Sequence, residues 1–225
     1  MLSQVIGDLL PSALGVAISP IPIIAVILML ATPRARSNGP AFAAGWILAL
    51  IIVSTIVLLA AGGADNPDSS SSTTADIARV AFGLFFFVLA LKQWKSRPKP
   101  GEAVAMPAWM STIDTFGVGK SFGLGALLAG VNPKNLALTL AAAATIAQAG
   151  LSTGQSTVAV GFFVVIASLT VAGPVLYYVV AGDRAAKPLV SIKEFMGAHM
   201  AAIMTVLFII LGGKLLGAGY AGLTN

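Results

Sequence analysis

The chain has 225 residues, of which 57% are hydrophobic and 9% charged, and its mean hydropathy is +0.94. A soluble domain carries about 25% charged residues, so lipid must cover much of this surface. There is no cysteine and only one histidine, His199. Disulfides and thiolate metal sites are therefore excluded, and little is left for a histidine-built metal site. We expect a membrane protein without metal or cofactor.

Six long apolar stretches follow one another along the chain and predict six membrane-spanning helices. Most are near the roughly 20 residues that cross the hydrocarbon core, and lipid-exposed backbone must bond within its own segment. Residues 1–4 contain no basic residue, so we expect no cleaved signal peptide. The predicted spans are Leu9–Ala31, Ala41–Gly62, Ile77–Leu91, Ser121–Ala147, Val158–Val180 and Ala201–Gly219.

The basic residues between the spans predict the orientation. The first, third and fifth loops carry most of them, which places these loops in the cytoplasm of an inner-membrane protein and both termini outside. The net charge of +5 is therefore a topology signal and not a nucleic-acid patch. The second loop, Gly63–Ala75, is expected to be flexible and external. The basic loop residues are Arg34, Arg36, Lys92, Lys95, Arg97, Lys99, Lys120, Arg184, Lys187 and Lys193.

Two proline motifs interrupt the first and fourth predicted spans near their middles. Residues 19–22 are Ser-Pro-Ile-Pro, and residues 132–135 are Asn-Pro-Lys-Asn. Proline breaks a helix, but Ser or Asn followed by Pro can also start one, with Ser or Asn as the cap. Each span is therefore predicted to be two half-helices, the second beginning near the membrane midplane. A simple proline kink is the alternative.

The two breaks lie in corresponding places, each in the first helix of a three-helix half. Because three is odd, the halves have opposite orientations, which is typical of inverted-repeat transporters with a site at the repeat interface. We predict an all-α membrane protein of six transmembrane helices in two inverted three-helix repeats, with helices 1 and 4 broken near the midplane. The predicted repeats are residues 1–100 and 118–225, joined by a cytoplasmic linker at 101–117.

The broken ends predict a binding site for an anionic or strongly polar group. A half-helix N-terminus offers unpaired N–H groups and a positive dipole end, and Lys134 adds an ammonium group. Small residues such as Gly15 and Ala17 would let the two backbones approach closely. Lys134 could instead bond to a carbonyl and serve only structure. The predicted substrate-binding residues are Ser19, Pro20, Pro22, Asn132, Pro133, Lys134 and Asn135.

No other motif indicates chemistry. The sequence shows no serine–histidine pair, no paired intramembrane carboxylates and no obvious buried proton carrier, so we expect no enzyme and assign no catalytic residue. Residues 114–121 are similar to a phosphate-binding loop but lack its first glycine and a preceding strand. The motifs Gly119-x-x-x-Gly123 and Gly213-x-x-x-Gly217 predict close helix packing.

Several segments resemble the GAP family, the glycopeptidolipid- and sulfolipid-addressing, Sap-like proteins of the LysE transporter superfamily. They are Pro11–Leu30, Phe42–Trp46, Gly130–Leu140 and Leu211–Gly217, and the resemblance spans nearly the whole chain. The Asn-Pro-Lys motif alone indicates the superfamily, and with the first-span motif it indicates GAP. Phe195 stands where the family has a tryptophan. The resemblance implies export of a cell-envelope glycolipid or its precursor across the inner membrane.

These expectations combine into a secondary, flippase-like exporter with alternating access, driven by an ion gradient because no nucleotide site is visible. Its expected partners are membrane lipids and an anionic or polar-headed substrate, with no nucleic acid. A homo-oligomer and contact with the lipid-synthesis machinery are left open. Two alternatives remain: a non-transporting membrane scaffold for a lipid synthesis or export complex, and a LysE-like amino-acid exporter.

Overall fold

The computed structural model describes residues 1–62, 73–97 and 108–224, and within these ranges every regular element is helical. Most of the predicted external loop, Lys99 and residues 101–107 of the predicted linker lie outside the described residues. The described α-helices are α1 (Leu2–Ala17), α2 (Pro20–Leu30), α3 (Ala35–Gly62), α4 (Thr73–Lys95), α5 (Val118–Gly130), α6 (Pro133–Gln148), α7 (Thr153–Ala181) and α8 (Ala186–Thr224), with 3₁₀ turns at Ala108–Thr115 and Gly182–Ala185.

Three of the described helices, α3, α7 and α8, are long and apolar enough to cross a membrane. The pair α1 and α2 is a fourth candidate span, bent by 54° at its break. These helices identify a membrane-embedded protein. Four of the six predicted spans, the first, second, fifth and sixth, therefore correspond to candidate spans. The third predicted span forms α4 and the fourth forms the pair α5–α6, and neither is among the candidate spans found in the described residues.

Local sequence signals set the ends of α7. At its start, Ser152 Oγ accepts the N–H of Gln155, and the Gln155 side chain accepts the N–H of Ser152 at 3.1 Å, which is a capping box. At its end, Gly182 adopts a φ of 56°, a left-handed conformation that favours glycine. The 29-residue helix between them is about 43 Å long, enough to cross a bilayer.

One compact unit comprises Met1–Ala64 and Met106–Met196. Within it, α1 packs on α7 and α5 packs on α3, while α2 and α6 each contact both α3 and α7. Large side chains that are fully buried fill its core, among them Phe42, Trp46 and Phe163. Both interrupted helix pairs, α1–α2 and α5–α6, belong to this unit, so the candidate site lies within it.

The backbones of α3 and α5 lie directly against each other. A methyl group at Gly45 would overlap the carbonyl oxygen of Phe122, and one at Gly125 would overlap that of Phe42. The contact is reciprocal, and only glycine fits at both positions. Close approach through glycine is a usual way to pack membrane helices.

The predicted glycine motifs do not make these contacts. A methyl group at Gly119, Gly123, Gly213 or Gly217 would meet nothing within 4 Å, so the prediction of close packing through these glycines was wrong. Gly125 lies two positions after Gly123, which turns it about 200° around the helix toward α3. The spacing of the motif was visible in the sequence, but the face that meets a neighbour was not.

The second compact unit comprises Asp65–Ala105 and Gly197–Asn225. Its described helices are α4 and the part of α8 that begins at Gly197. They also meet at reciprocal glycines, because a methyl group at Gly83 would lie 3.0 Å from the Gly212 carbonyl oxygen, and the reverse distance is also 3.0 Å.

Asp76 of α4 is a buried acid that sequence reasoning missed. Its side chain is fully buried and pairs with Arg79 one turn later. A methyl group at Gly222 of α8 would overlap the Asp76 carboxylate, so the acid is packed against α8. Only the spacing of Asp76 and Arg79, three residues apart on one helix, could have indicated this pair.

Candidate functional site

The first break separates α1 from α2. Pro20 takes the first position of α2, as predicted, and Ser19 precedes it with extended backbone (φ −108°, ψ 104°). Ser19 does not cap α2 with its side chain, which corrects the sequence prediction. Its Oγ lies 2.7 Å from the Val16 carbonyl oxygen and 2.9 Å from Asn135 Oδ1, so its single proton serves one of these acceptors at a time.

The prolines of α2 leave few N–H groups for a cap. A capping side chain accepts the N–H of the second or third helical residue. Pro22 occupies the third position and has no N–H, and Pro20 has none either. Ile23 bonds to the Ser19 carbonyl at 3.3 Å. Ile21 therefore carries the one N–H among the first three residues of α2, and this helix end attracts an anion less strongly than the sequence reasoning assumed.

The second break, between α5 and α6, satisfies its polar groups locally. Pro133 opens α6, and Asn132 caps it as predicted, with Oδ1 accepting the backbone N–H of Lys134 at 3.2 Å. Asn135 Nδ2 donates to the Leu128 carbonyl oxygen at 2.9 Å, back across the same break. The side chains of this motif thus hold the end of α5 and the start of α6 together.

Lys134 connects the second break to the first. Its side chain is only 4% exposed, and Nζ donates to the Gly15 carbonyl oxygen at 2.6 Å. In an unbroken helix this carbonyl would accept the N–H of Ser19, but that N–H bonds to Ala17 instead. The ammonium therefore occupies the C-terminal end of α1, where the helix dipole favours a cation.

Two further carbonyl oxygens lose their helical partners at the first break and have a side-chain hydroxyl within hydrogen-bond distance. The Val16 carbonyl oxygen has the Ser19 hydroxyl within hydrogen-bond distance. The Ala17 carbonyl oxygen accepts the hydroxyl of Thr170, on α7, at 2.5 Å. Thr170 was missed because a single threonine in an apolar helix carries no sequence signal. The Gly15, Val16 and Ala17 carbonyls thus have partners, as a membrane interior requires.

The structure brings together some of the predicted site residues and not others. Ser19, Lys134 and Asn135 are all buried; Ser19 contacts Asn135, and Lys134 contacts the end of α1 at Gly15. Pro20 and Pro22 are buried in the first turn of α2, Asn132 is half-buried and Pro133 is exposed.

Further polar atoms are buried in the same unit without a hydrogen-bond partner among the described residues. Trp46 Nε1 and Ser54 Oγ lie eight residues apart on the buried stripe of α3, and Ser168 Oγ lies two residues before Thr170 on α7. Buried polar groups nearly always have partners. These atoms therefore identify positions in the core of the unit where a further hydrogen-bonding partner would be stabilised.

Together, the apolar spans, the two interrupted helices and the buried lysine define a helical membrane protein with a polar centre. The chain belongs to the Sap, sulfolipid-1-addressing protein family, whose model matches residues 9–221 and so includes both breaks. No curated protein and no solved structure matches the chain. Family membership and the apolar helices link this membrane protein to lipid export, and the family is described by lipid addressing rather than by a reaction.

Proposed function

We propose that the protein is a secondary, flippase-like exporter that moves an anionic or polar-headed cell-envelope glycolipid, or its precursor, across the inner membrane by alternating access. The observation that carries this proposal is the buried Lys134 ammonium at the break of the first span. Charged groups inside membrane bundles are costly, and they commonly mark substrate or ion pathways. The family supports a lipid as the cargo.

The hydrogen bond to Gly15 alone would also fit a structural lysine. A lysine ammonium carries three donors, however, and this contact uses one of them. An anionic head group would accept a stronger, charge-assisted bond than a carbonyl does. Asn135 and Ser19, which already contact each other, are placed to orient the same group. The proposed binding residues are therefore Ser19, Lys134 and Asn135, with Pro20, Pro22, Asn132 and Pro133 shaping the helix ends around them.

This geometry supports a coupling between binding and helix movement. When an anionic group draws the Lys134 ammonium away from Gly15, the Gly15 carbonyl oxygen loses its donor. The hydrogen bond that joins α6 to α1 is then broken. The bend between α1 and α2 then becomes free to change, with Ser19 as its hinge. Ligands shift conformational equilibria only through such differential contacts, and here the contact that changes is the Lys134–Gly15 bond.

We also propose the six-helix inverted repeat, and the packing in the first unit supports it. If α1, α2 and α3 correspond to α5, α6 and α7, each first half-helix packs on the third helix of the opposite set: α1 on α7, and α5 on α3. The middle helices α2 and α6 both contact α3 and α7. Such packing of each set of helices against the other is expected of repeats that share a site at their interface. The proposed repeats are residues 1–100 and 118–225 around a linker at 101–117.

The charge at the two ends of the first unit supports an orientation with cytoplasmic basic loops and external termini. At one end, Asp8 lines a cleft with Gln148 of α6. At the other end, Asn38 Nδ2 donates to the Phe116 carbonyl oxygen at 2.8 Å, and Arg34 lies nearby, close to Gly117. Basic residues favour the cytoplasmic side of a membrane, and the inner membrane is the proposed location.

The test is lipid movement in proteoliposomes that contain the purified protein. A fluorescent sulfated galactosylceramide serves as the anionic probe, and the unsulfated lipid serves as its neutral counterpart. Proton and sodium gradients are imposed in turn. We expect Lys134→Met to lower movement of the sulfated probe by about ten- to a hundredfold, the loss expected for one charge-assisted bond. Lys120→Met, at an exposed lysine of α5, is the matched control and should retain wild-type movement.

The same assay separates the alternatives. A folded Lys134→Met protein that moves the sulfated probe at the wild-type rate contradicts the proposed site. A scaffold would move neither lipid in any variant. A LysE-like exporter would show saturable efflux of free amino acids from loaded vesicles and no movement of the lipid probe.

A further inference from the structure

A cleft of about 490 Å³ lies between α3, α6 and α7 in the first unit. Its walls run along α3 from Ile51 to Leu59 and along α7 from Thr153 to Val160, and the buried Ile146 contributes from α6. Eight residues of helix give the cleft a length of about 12 Å. Its volume is within the roughly 300–1,000 Å³ of typical ligand sites.

The lining of the cleft is amphipathic and uncharged. Hydroxyl groups come from Thr55 on α3 and from the first two turns of α7, where residues 153, 156 and 157 share one helix face. Among the described residues, no charged side chain lines the cleft. This lining suits neutral hydroxyl, glycosyl or ester groups beside an aliphatic chain, and it offers no counter-charge to a sulfate or phosphate. The apolar lining residues are Ile51, Leu58, Leu59, Ile146, Ala147, Leu151 and Val160.

The hydroxyls lie between two apolar parts of the lining, with Leu58, Leu59 and Leu151 near the helix ends, and Ile51 and Val160 deeper along α3 and α7. The cleft is open at its side, because Leu59 is 72% exposed and Ile51 is 40% exposed. From the hydroxyls inward, the lining has the order of a lipid in a leaflet, whose head group lies nearer the surface than its chain.

Helix α6 connects this cleft to the candidate site. Lys134 is the second residue of α6, and Ile146 lies twelve residues further along the same helix. The path between them is about 18 Å long, slightly more than half of the roughly 30 Å hydrocarbon core. One end of α6 thus carries the proposed site for the charged group, and the other end borders the cleft.

We propose that this cleft is a binding site for the neutral part of a glycolipid in the outer leaflet, reached as the lipid leaves the Lys134 site. The aliphatic chain lies against Ile51 and Val160. The hydroxylated, uncharged head region bonds to Thr55 and Ser156. The proposal rests on the proposed function, since the lipid in the cleft is the one that first binds at Lys134. It assigns recognition of neutral sugar or ester groups to a second site.

The experiment is photolabelling in nanodiscs with a glucosyl-diacylglycerol that carries a diazirine on one acyl chain, followed by mass spectrometry of the labelled peptides. We expect labelling concentrated on residues 51–59 and 153–160. Excess unlabelled glucosyl-diacylglycerol should compete, and phosphatidylcholine should not.

Two variants test the chemistry of the cleft. The double variant Thr55→Val with Ser156→Ala should lower the preference for glucosyl-diacylglycerol over plain diacylglycerol by about two- to tenfold, the loss expected for one or two neutral hydrogen bonds. The matched control is Thr145→Val, because Thr145 lies at the same end of α6 but lines a different cleft. It should leave both the labelling pattern and the preference unchanged.

Failure of this inference differs from failure of the proposed function. Labelling spread evenly over the lipid-facing surface, or an unchanged preference in the double variant, overturns the cleft proposal even if Lys134→Met abolishes lipid movement. Labelling confined to the cleft in wild type and in Lys134→Met supports the cleft. If the sulfated probe then moves at the same rate in both proteins, the proposed Lys134 site is contradicted and the cleft proposal is not.

Discussion

The two interrupted spans resume in the same way, with a proline in the first helical position, but their breaks are stabilised differently. In the second break, Asn132 caps α6 and Asn135 reaches back to α5, so the motif satisfies its own backbone. The first break is surrounded by apolar residues of its own span. The carbonyls that it releases are met by Ser19 itself, by Lys134 of α6 and by Thr170 of α7.

This difference assigns different roles to the two breaks. The second is self-contained and presents its side chains from a fixed position. The first depends on side chains from other helices, so the surroundings control how the bend between α1 and α2 is held. A buried carbonyl left without a partner costs about 1–3 kcal/mol, and a change of partner at Gly15 or Ala17 is therefore large enough to shift a conformational equilibrium.

The largest effect is expected at Asn135, because its amide serves both breaks. Asn135→Leu keeps the approximate size but removes the bond to Leu128 and the contact with Ser19. Since the Leu128 carbonyl oxygen then loses its donor and the buried Ser19 hydroxyl loses one of its acceptors, we expect the free energy of unfolding in mixed micelles to fall by about 2–4 kcal/mol. A double-mutant cycle with Ser19→Ala should show coupling, and strictly additive effects would mean that the two breaks are independent.

The next effect is expected at Thr170, whose hydroxyl supports the first break alone. Because the chain has no cysteine, a single Ile18→Cys substitution can report on that break by its rate of thiol labelling. Thr170→Val should destabilise the protein by about 1–2 kcal/mol and increase the labelling rate at position 18.

Thr145→Val is the control, since the Thr145 hydroxyl bonds only to the Ala141 carbonyl of its own helix. It should leave labelling at position 18 unchanged. Equal labelling rates in both threonine variants would show that Thr170 does not hold the first break.

A smaller effect is expected at Asn132, which caps α6. Asn132→Ala should lower the free energy of unfolding by about 1 kcal/mol, as for loss of an N-cap. Since this cap belongs to the second break, the labelling rate of a cysteine at position 18 should not change. A rise in that rate would mean that the Asn132 cap also supports the first break, and Asn132→Asp should restore the stability.

The smallest effect is expected from improving the residue before α2. Ser19→Asn introduces a strong capping residue, but Pro20 and Pro22 leave Ile21 as the one N–H of the first three that it could accept, and the side chain at position 19 lies against Val16 and Asn135 instead. We expect no stabilisation from Ser19→Asn in thermal unfolding. Stabilisation of about 1 kcal/mol, the usual gain from a cap, would mean that the new side chain turns to the Ile21 N–H.

The sequence predicted the positions of both breaks correctly, because proline removes a backbone donor wherever it occurs. The cap at Asn132 followed from the same local chemistry. By contrast, the direction of the Ser19 side chain and the role of Thr170 depend on which helices face each other. The same is true of the crossing at Gly45 and Gly125. Local sequence rules contain no information on these contacts, and the six-span repeat remains a prediction for the same reason.

The short half-helices have a consequence for how the chain enters the membrane during synthesis. Helices α5 and α6 have 13 and 16 residues, about 20 and 24 Å, so neither alone crosses a core of roughly 30 Å. Helix α3 emerges earlier from the ribosome, and its Gly45 already offers the surface on which Gly125 fits. We therefore expect α3 to offer the packing surface on which α5 settles once both are in the membrane.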